Sequence, residues 1–232
     1  MTLSESVAAA HLATVWESSI IPSLSEYIAI PALSKNFDSD WRAHGFIDQA
    51  VTHLTGWASA RTIVGMHLEV VEIDGLTPVI LVTIDAFGTG SQADTVLLYG
   101  HLDKQPEMTG WRPDLGPWTP VREGDKLYGR GGADDGYAMY AALGAVEACQ
   151  LAGGSHSRLV VVIEASEESG SPDLAAYIDQ YADVIGSPTL VVCLDSGCED
   201  FDRLWTTTSL RGLVAVTVTV KVLTIEIGRA HV

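Results

Sequence analysis

Apolar positions recur at helical spacing from residue 3 to 30, and Pro31 ends the pattern. A second stretch of the same period spans 41–60. The period then changes. Val70, Val71 and Ile73, and then 79–84, read as strands on either side of an Asp74-Gly75 turn. Three compact apolar runs follow, at 95–99, 159–163 and 190–194, each of the kind that suits a strand buried on both faces. Between the first and second lies a predicted helix, 137–151, closed by Gly153-Gly154. Between the second and third lies another, 173–185, entered through Ser171-Pro172.

Strands alternating with helices predict an α/β fold, a three-layer sandwich around a mostly parallel mixed sheet. Near the end the pattern shifts again. Val214, Val216, Val218, Val220 and Val222 alternate with smaller or polar residues, a period of two that suggests a strand with one wet face and the start of a second domain.

Composition narrows the classes. The 232 residues are 47% hydrophobic and 19% charged, as in ordinary globular chains. No apolar stretch reaches the roughly 18 residues of a membrane span, and the N-terminus lacks a secretory leader, so a cytoplasmic protein is expected. A net charge of -17 opposes nucleic-acid binding. Three cysteines, Cys149, Cys193 and Cys198, lack the paired spacing of a structural zinc site and are expected as buried thiols.

The chemistry lies where the strands end. Ligands of open parallel sheets bind beyond the carboxyl ends of the strands. The first buried run leads into His101-Leu102-Asp103, the second into Glu164 and Glu167-Glu168, the third into Asp195. Asp134-Asp135 stands just before the 137–151 helix. Each taken alone has an ordinary explanation: a polar strand end, a solvated acidic turn, a helix cap. Four such groups converging on one edge do not, because bare carboxylates would repel. A divalent cation removes that repulsion, and imidazole with carboxylate suits zinc or manganese. Asp103, two residues beyond His101, would point to the same face and could hold the imidazole tautomer.

The segments HLDKQPE, LYGRGGADDG, EASEESGS and VCLDSG, in this order and spacing, resemble the motifs of the dinuclear metallopeptidase family of carnosine dipeptidase, carboxypeptidase G and succinyl-diaminopimelate desuccinylase. The resemblance spans roughly residues 10–224. It implies two divalent metal ions, zinc or alternatively manganese, with His101 and Asp195 on one, Asp134 shared, and Glu168 on the other. It further implies Glu167 as general base, Asp103 as the residue orienting His101, and a cis peptide between Asp134 and Asp135. Many members carry Lys-Gly after the two aspartates, where this chain has Gly136-Tyr137.

The implied activity is metal-dependent hydrolysis of the amide bond of dipeptides or short peptides. A deacylase of N-acyl amino acids from the same family is the alternative. A non-catalytic metal-binding protein and plain structural acidity are the readings from other classes. The family also uses a downstream His and a lid domain, so the chain is expected to be an N-terminal piece: a catalytic domain over 1–208, the first lid strand over 209–224, and a tail over 225–232. That tail, ending EIGRAHV, matches the translation of a sequencing-adapter start. A genuine short extension is the alternative, and His231 is a poor candidate ligand. Such a piece is expected to be weakly active or inactive, and to aggregate through its unpaired lid strand. The full-length protein is expected to dimerise through the lid, and its partner is a small peptide.

Overall fold

The computed structural model describes residues 3–195, 197, 198, 200, 202–210, 212, 214, 216 and 218. The first lid strand, expected over 209–224, lies largely outside the described residues, and the tail over 225–232 wholly so. Two compact units divide at Ser196 and Gly197. In the second, Arg203 donates to Asp200 and lies over the Trp205 ring.

The first unit opens with α1 (Glu5–Val15), a single π-helical turn (Trp16–Ile20) and α2 (Ile21–Ile28), one helical run with a bulge. The second predicted helix is split. Gly45 takes a left-handed conformation between α3 (Trp41–His44) and α4 (Phe46–Ser59). Strands β1 (Met66–Val71), β2 (Val79–Ile84) and β3 (Thr95–His101) follow, then a short hairpin of β4 (Val121–Glu123) and β5 (Lys126–Tyr128). Helix α5 (Ala138–Leu151) leads to β6 (Arg158–Glu164). The helix predicted over 173–185 is two short pieces, α6 (Leu174–Gln180) and α7 (Ala182–Ile185), before β7 (Leu190–Cys193).

The sheet order is β1-β2-β6-β3-β7. β2 is antiparallel to both neighbours, whereas β3 is parallel to β6 and to β7. Four strands therefore run one way and β2 the other, the mostly parallel mixed sheet that the alternation of elements predicts.

The period of two along β2 and β6 divides the core into two faces. Ile80, Val82, Ile84, Leu159, Val161 and Ile163 pack with residues of α2, α4 and α5. Val79, Leu81, Val160 and Val162 pack on the opposite face with Tyr177 and Ile185 of α6 and α7. The result is three layers, an α/β sandwich.

Two expectations need correction. The 190–194 run is an edge strand, with Leu190 and Val191 more than half exposed, because among the described residues it pairs with β3 alone. Beneath it an apolar groove is lined by Leu98, Ala145, Cys149, Val192 and Leu194. The cysteines are not buried thiols: Cys149 is half-buried, and Cys193 and Cys198 are exposed.

Candidate metal centre

The parallel register gathers the site. His101 at the end of β3 pairs with Glu164 at the end of β6, and Tyr99 pairs with Cys193 of β7. The residues just past these pairs therefore emerge on one edge of the sheet. Beyond β6 a 3-10 turn, Glu167–Ser169, presents two carboxylates. Beyond β7 comes Asp195. Asp134 lies in the Gly132–Gly136 turn that leads into α5, next to Asp135 across a cis peptide bond. Gly100 lets that turn approach: a Cβ there would lie 2.4 Å from Ala138 Cβ and 2.6 Å from Asp135 Oδ2.

His101 is buried at the centre. Its Nε2 lies 3.2 Å from Asp134 Oδ1, 3.7 Å from Glu167 Oε2 and 3.8 Å from Asp195 Oδ2. The structure thus brings His101, Glu167 and Asp195 into one triad and His101, Asp134 and Glu168 into another. In each cluster the potential ligand atoms lie within 4.8 Å of one another.

On its other side His101 Nδ1 stands 3.0 Å from the backbone carbonyl of Asp103 and 3.5 Å from that residue's carboxylate. A carbonyl only accepts, so Nδ1 carries the proton and the lone pair of a neutral ring sits on Nε2, aimed at the carboxylates. Nε2 has no hydrogen-bond partner, nor has the buried Glu168 Oε1. A lone pair facing anions is repulsive, so the ring either takes a second proton on Nε2 or gives the lone pair to a cation. The residues present fit a divalent ion.

The Asp103 carboxylate has a second task. Its Oδ1 accepts from the Glu167 backbone N–H and its Oδ2 from that of Glu168, each at 3.1 Å. It holds the acidic turn as well as facing the imidazole.

Charge balance without a metal falls to protons. Burial opposes a charged His101, but Asp103 and Asp134 beside it outweigh this and raise its pKa to about 11. The contact with His101 holds Asp134 below the ordinary carboxylate range. Burial pushes Glu168 and Asp135 up to about 7 each, and raises Glu167, where Asp195 and Asp103 add to the effect.

Several residues around the site have roles that rest on contacts the sequence does not show. Asp135 is fully buried, and its Oδ2 accepts from the His101 backbone N–H at 3.2 Å. Glu164 accepts from Tyr99, Ser171 and Ser166, a clamp across both ends of the acidic turn. Lys104 is fully buried and donates to the carbonyls of Tyr27, Ile28 and Ile30, satisfying the end of α2. Burial lowers its pKa to about 7. Tyr27 donates to the Leu102 carbonyl at 2.7 Å, and its ring fills the room beside Gly136, where a Cβ would lie 2.1 Å from Tyr27 Cε1. A lysine at position 136 would collide with that ring.

Known proteins resemble this chain. The chain is 26% identical over 211 residues to a Cys-Gly metallodipeptidase of Schizosaccharomyces pombe, an alignment that covers 85% of this chain and 42% of the relative. It is 34% identical over 111 residues to the human Beta-Ala-His dipeptidase, covering 47% of this chain and 21% of the relative. The solved di-peptidase Dug1p from Saccharomyces cerevisiae superposes with a TM-score of 0.62 at 28% identity, over 79% of this chain and 39% of that one. The chain thus spans less than half the length of these relatives. Among the described residues no helix is long and apolar enough to cross a membrane. Residues 97–223, more than half of the chain and the stretch that holds every group of the cluster, match peptidase family M20/M25/M40, and the chain belongs to that family.

Proposed function

We propose that this chain carries the metal centre of a hydrolase that cleaves the amide bond of dipeptides or short peptides. The observation that carries the reading is the buried Nε2 of His101, without a hydrogen-bond partner and facing three carboxylates. In this reading His101 and Asp195 hold one ion, Asp134 is shared, and Glu168 holds the second. Bound there, two zinc ions would supply an activated water and polarise the substrate carbonyl.

The remaining work belongs to the chain. Glu167 is the carboxylate that this assignment leaves off both ions and so the group left to move protons: it accepts one from the attacking water and returns it to the leaving amine. Burial and neighbouring carboxylates raise its pKa, the direction that suits a base which must later act as an acid. Asp103 fixes Glu167 through its backbone N–H and keeps the His101 proton on Nδ1 through the adjoining carbonyl. The names of the relatives, a Cys-Gly and a Beta-Ala-His dipeptidase, favour dipeptides as the substrate class.

Zinc titration of the purified chain, with His101→Ala and Glu167→Gln beside it, tests the reading. The wild type is expected to bind zinc, His101→Ala to lose it, and Glu167→Gln to keep it. Any chelator-sensitive hydrolysis of a dipeptide panel, expected to be weak in this chain, should vanish in Glu167→Gln. A wild type that takes up no zinc, or turnover that survives Glu167→Gln, would overturn the proposal.

A further inference from the structure

Glu168 has two carboxylate oxygens, and one of them is already engaged. Gln105 Nε2 donates to Glu168 Oε2 at 2.7 Å, while Glu168 Oε1 is buried without a partner. The amide of Gln105 is itself oriented. Arg130 Nη2 donates to Gln105 Oε1 at 2.9 Å. A guanidinium has donors only, so the amide oxygen must face it, and the amide nitrogen is left to face Glu168.

The two anchors come from separate places. Gln105 follows the His101 strand end and precedes Pro106, which restricts its backbone to extended conformations. Arg130 leaves the β4-β5 hairpin, with its backbone N–H bonded to the Pro117 carbonyl at 2.8 Å, and stands four residues before Asp134. An exposed glutamine ordinarily spends its amide on water. Here both ends of the amide are spent on a fixed cation and a candidate ligand.

We infer that Gln105 and Arg130 are positioning residues of the second metal site, which together select Oε1 of Glu168 as the ligand atom. The inference rests on the metal-centre reading given above. Neither residue belongs to a candidate ligand group. Arg130 sets the orientation of the amide, the amide occupies one oxygen, and the other remains free at a fixed place. Partners of this kind commonly change metal affinity by about 10–100-fold when removed.

Titration of the whole chain with zinc, and in parallel with cobalt(II) followed by its visible absorption, reads the two sites in turn. The wild type is expected to take two equivalents, the second more weakly because Asp134 and Glu168 are the ligands named for it. In Gln105→Leu the first equivalent should bind unchanged and the second about tenfold more weakly or worse, with an altered cobalt(II) spectrum for the second equivalent alone. Gln105→Glu, which sets a carboxylate against Glu168, should weaken the second site further, and Arg130→Met should reproduce the selective loss. Thermal unfolding of the metal-free variants should match the wild type, separating a positioning effect from general damage. Equal weakening of both equivalents, or no weakening of either, would overturn the inference while leaving the metal centre standing. A wild type that takes no second ion would overturn the metal-centre reading, and this inference with it.

Discussion

Replacing Asp103 by asparagine keeps the shape of the side chain and changes one oxygen into an NH2 group. Asp103 is fully buried, and each carboxylate oxygen accepts one backbone N–H, from Glu167 and from Glu168, at 3.1 Å. Asparagine can accept only one of these. The lost bond, to a charged acceptor, is worth about 1.5–3 kcal/mol, and the N–H left facing an NH2 group costs about 1–3 kcal/mol more. Because the two effects share one side chain they will not add fully, and a net destabilisation of about 3 kcal/mol is expected.

Urea unfolding of the metal-free chain measures this. With a slope near ~2 kcal/mol per M, the midpoint should fall by about 1.5 M with the slope unchanged. Asp125→Asn, at an exposed position between β4 and β5, serves as the control and should shift stability by less than about 0.5 kcal/mol. A midpoint for Asp103→Asn within about 0.3 M of the wild type would refute the argument that this carboxylate holds the acidic turn.

Three further outcomes follow from the same geometry. In the metal-free chain His101 holds its proton up to about pH 11, and Glu168 and Asp135 up to about pH 7. These raised values stabilise the fold most below the unfolded-state pKa values, and the contribution fades as pH climbs towards the folded ones. Metal-free stability should therefore drop from about pH 4 to pH 7 as Glu168 and Asp135 lose the benefit, and further towards pH 11 as His101 does; zinc binding at neutral pH should release at least one proton, seen as a buffer-dependent heat in calorimetry, and a heat independent of buffer would count against it. Lys104→Met strips three buried carbonyls of their shared donor and should cost about 3 kcal/mol in chemical denaturation, whereas a loss below about 1 kcal/mol would mean water replaces the ammonium. Gly136→Ala drives a methyl group into the Tyr27 ring and should destabilise by about 2 kcal/mol or more, a cost that Tyr27→Leu in the same chain should partly relieve.

Periodicity exposed the skeleton of the fold because burial enforces it. The alternation along β2 and β6 serves two covered faces, and the carboxylates stand at strand ends because the last residue of a parallel strand is where the chain leaves the core. The 190–194 run misled because an apolar strand reads the same whether one neighbour or two flank it; exposure of Leu190 and Val191 depends on what pairs beside them, which local sequence does not encode.

Gly45 broke a helix that the apolar pattern alone would continue. In the site, the chemistry of His101 and the acids was legible, since such a set near one edge has few other uses. The supports were not. Lys104 looks like any surface lysine, and Tyr27 like any aromatic in a helix, until the fold places one against three carbonyls and the other against Leu102 and Gly136. Long-range contacts of this kind leave no periodicity behind.

The pairing of His101 with Glu164 also bears on when the site can exist. The groups that surround His101 Nε2 come from chain segments tens of residues apart, and no short stretch holds a sufficient set. Parallel strands joined through α5 and α6 form only after long loops close, which makes them late events in folding. An ion would therefore be captured by a finished sheet, unlike the small zinc domains whose metal directs the collapse. During synthesis the chain would stay without a competent centre until Asp195 had left the ribosome and β7 had joined the edge of β3.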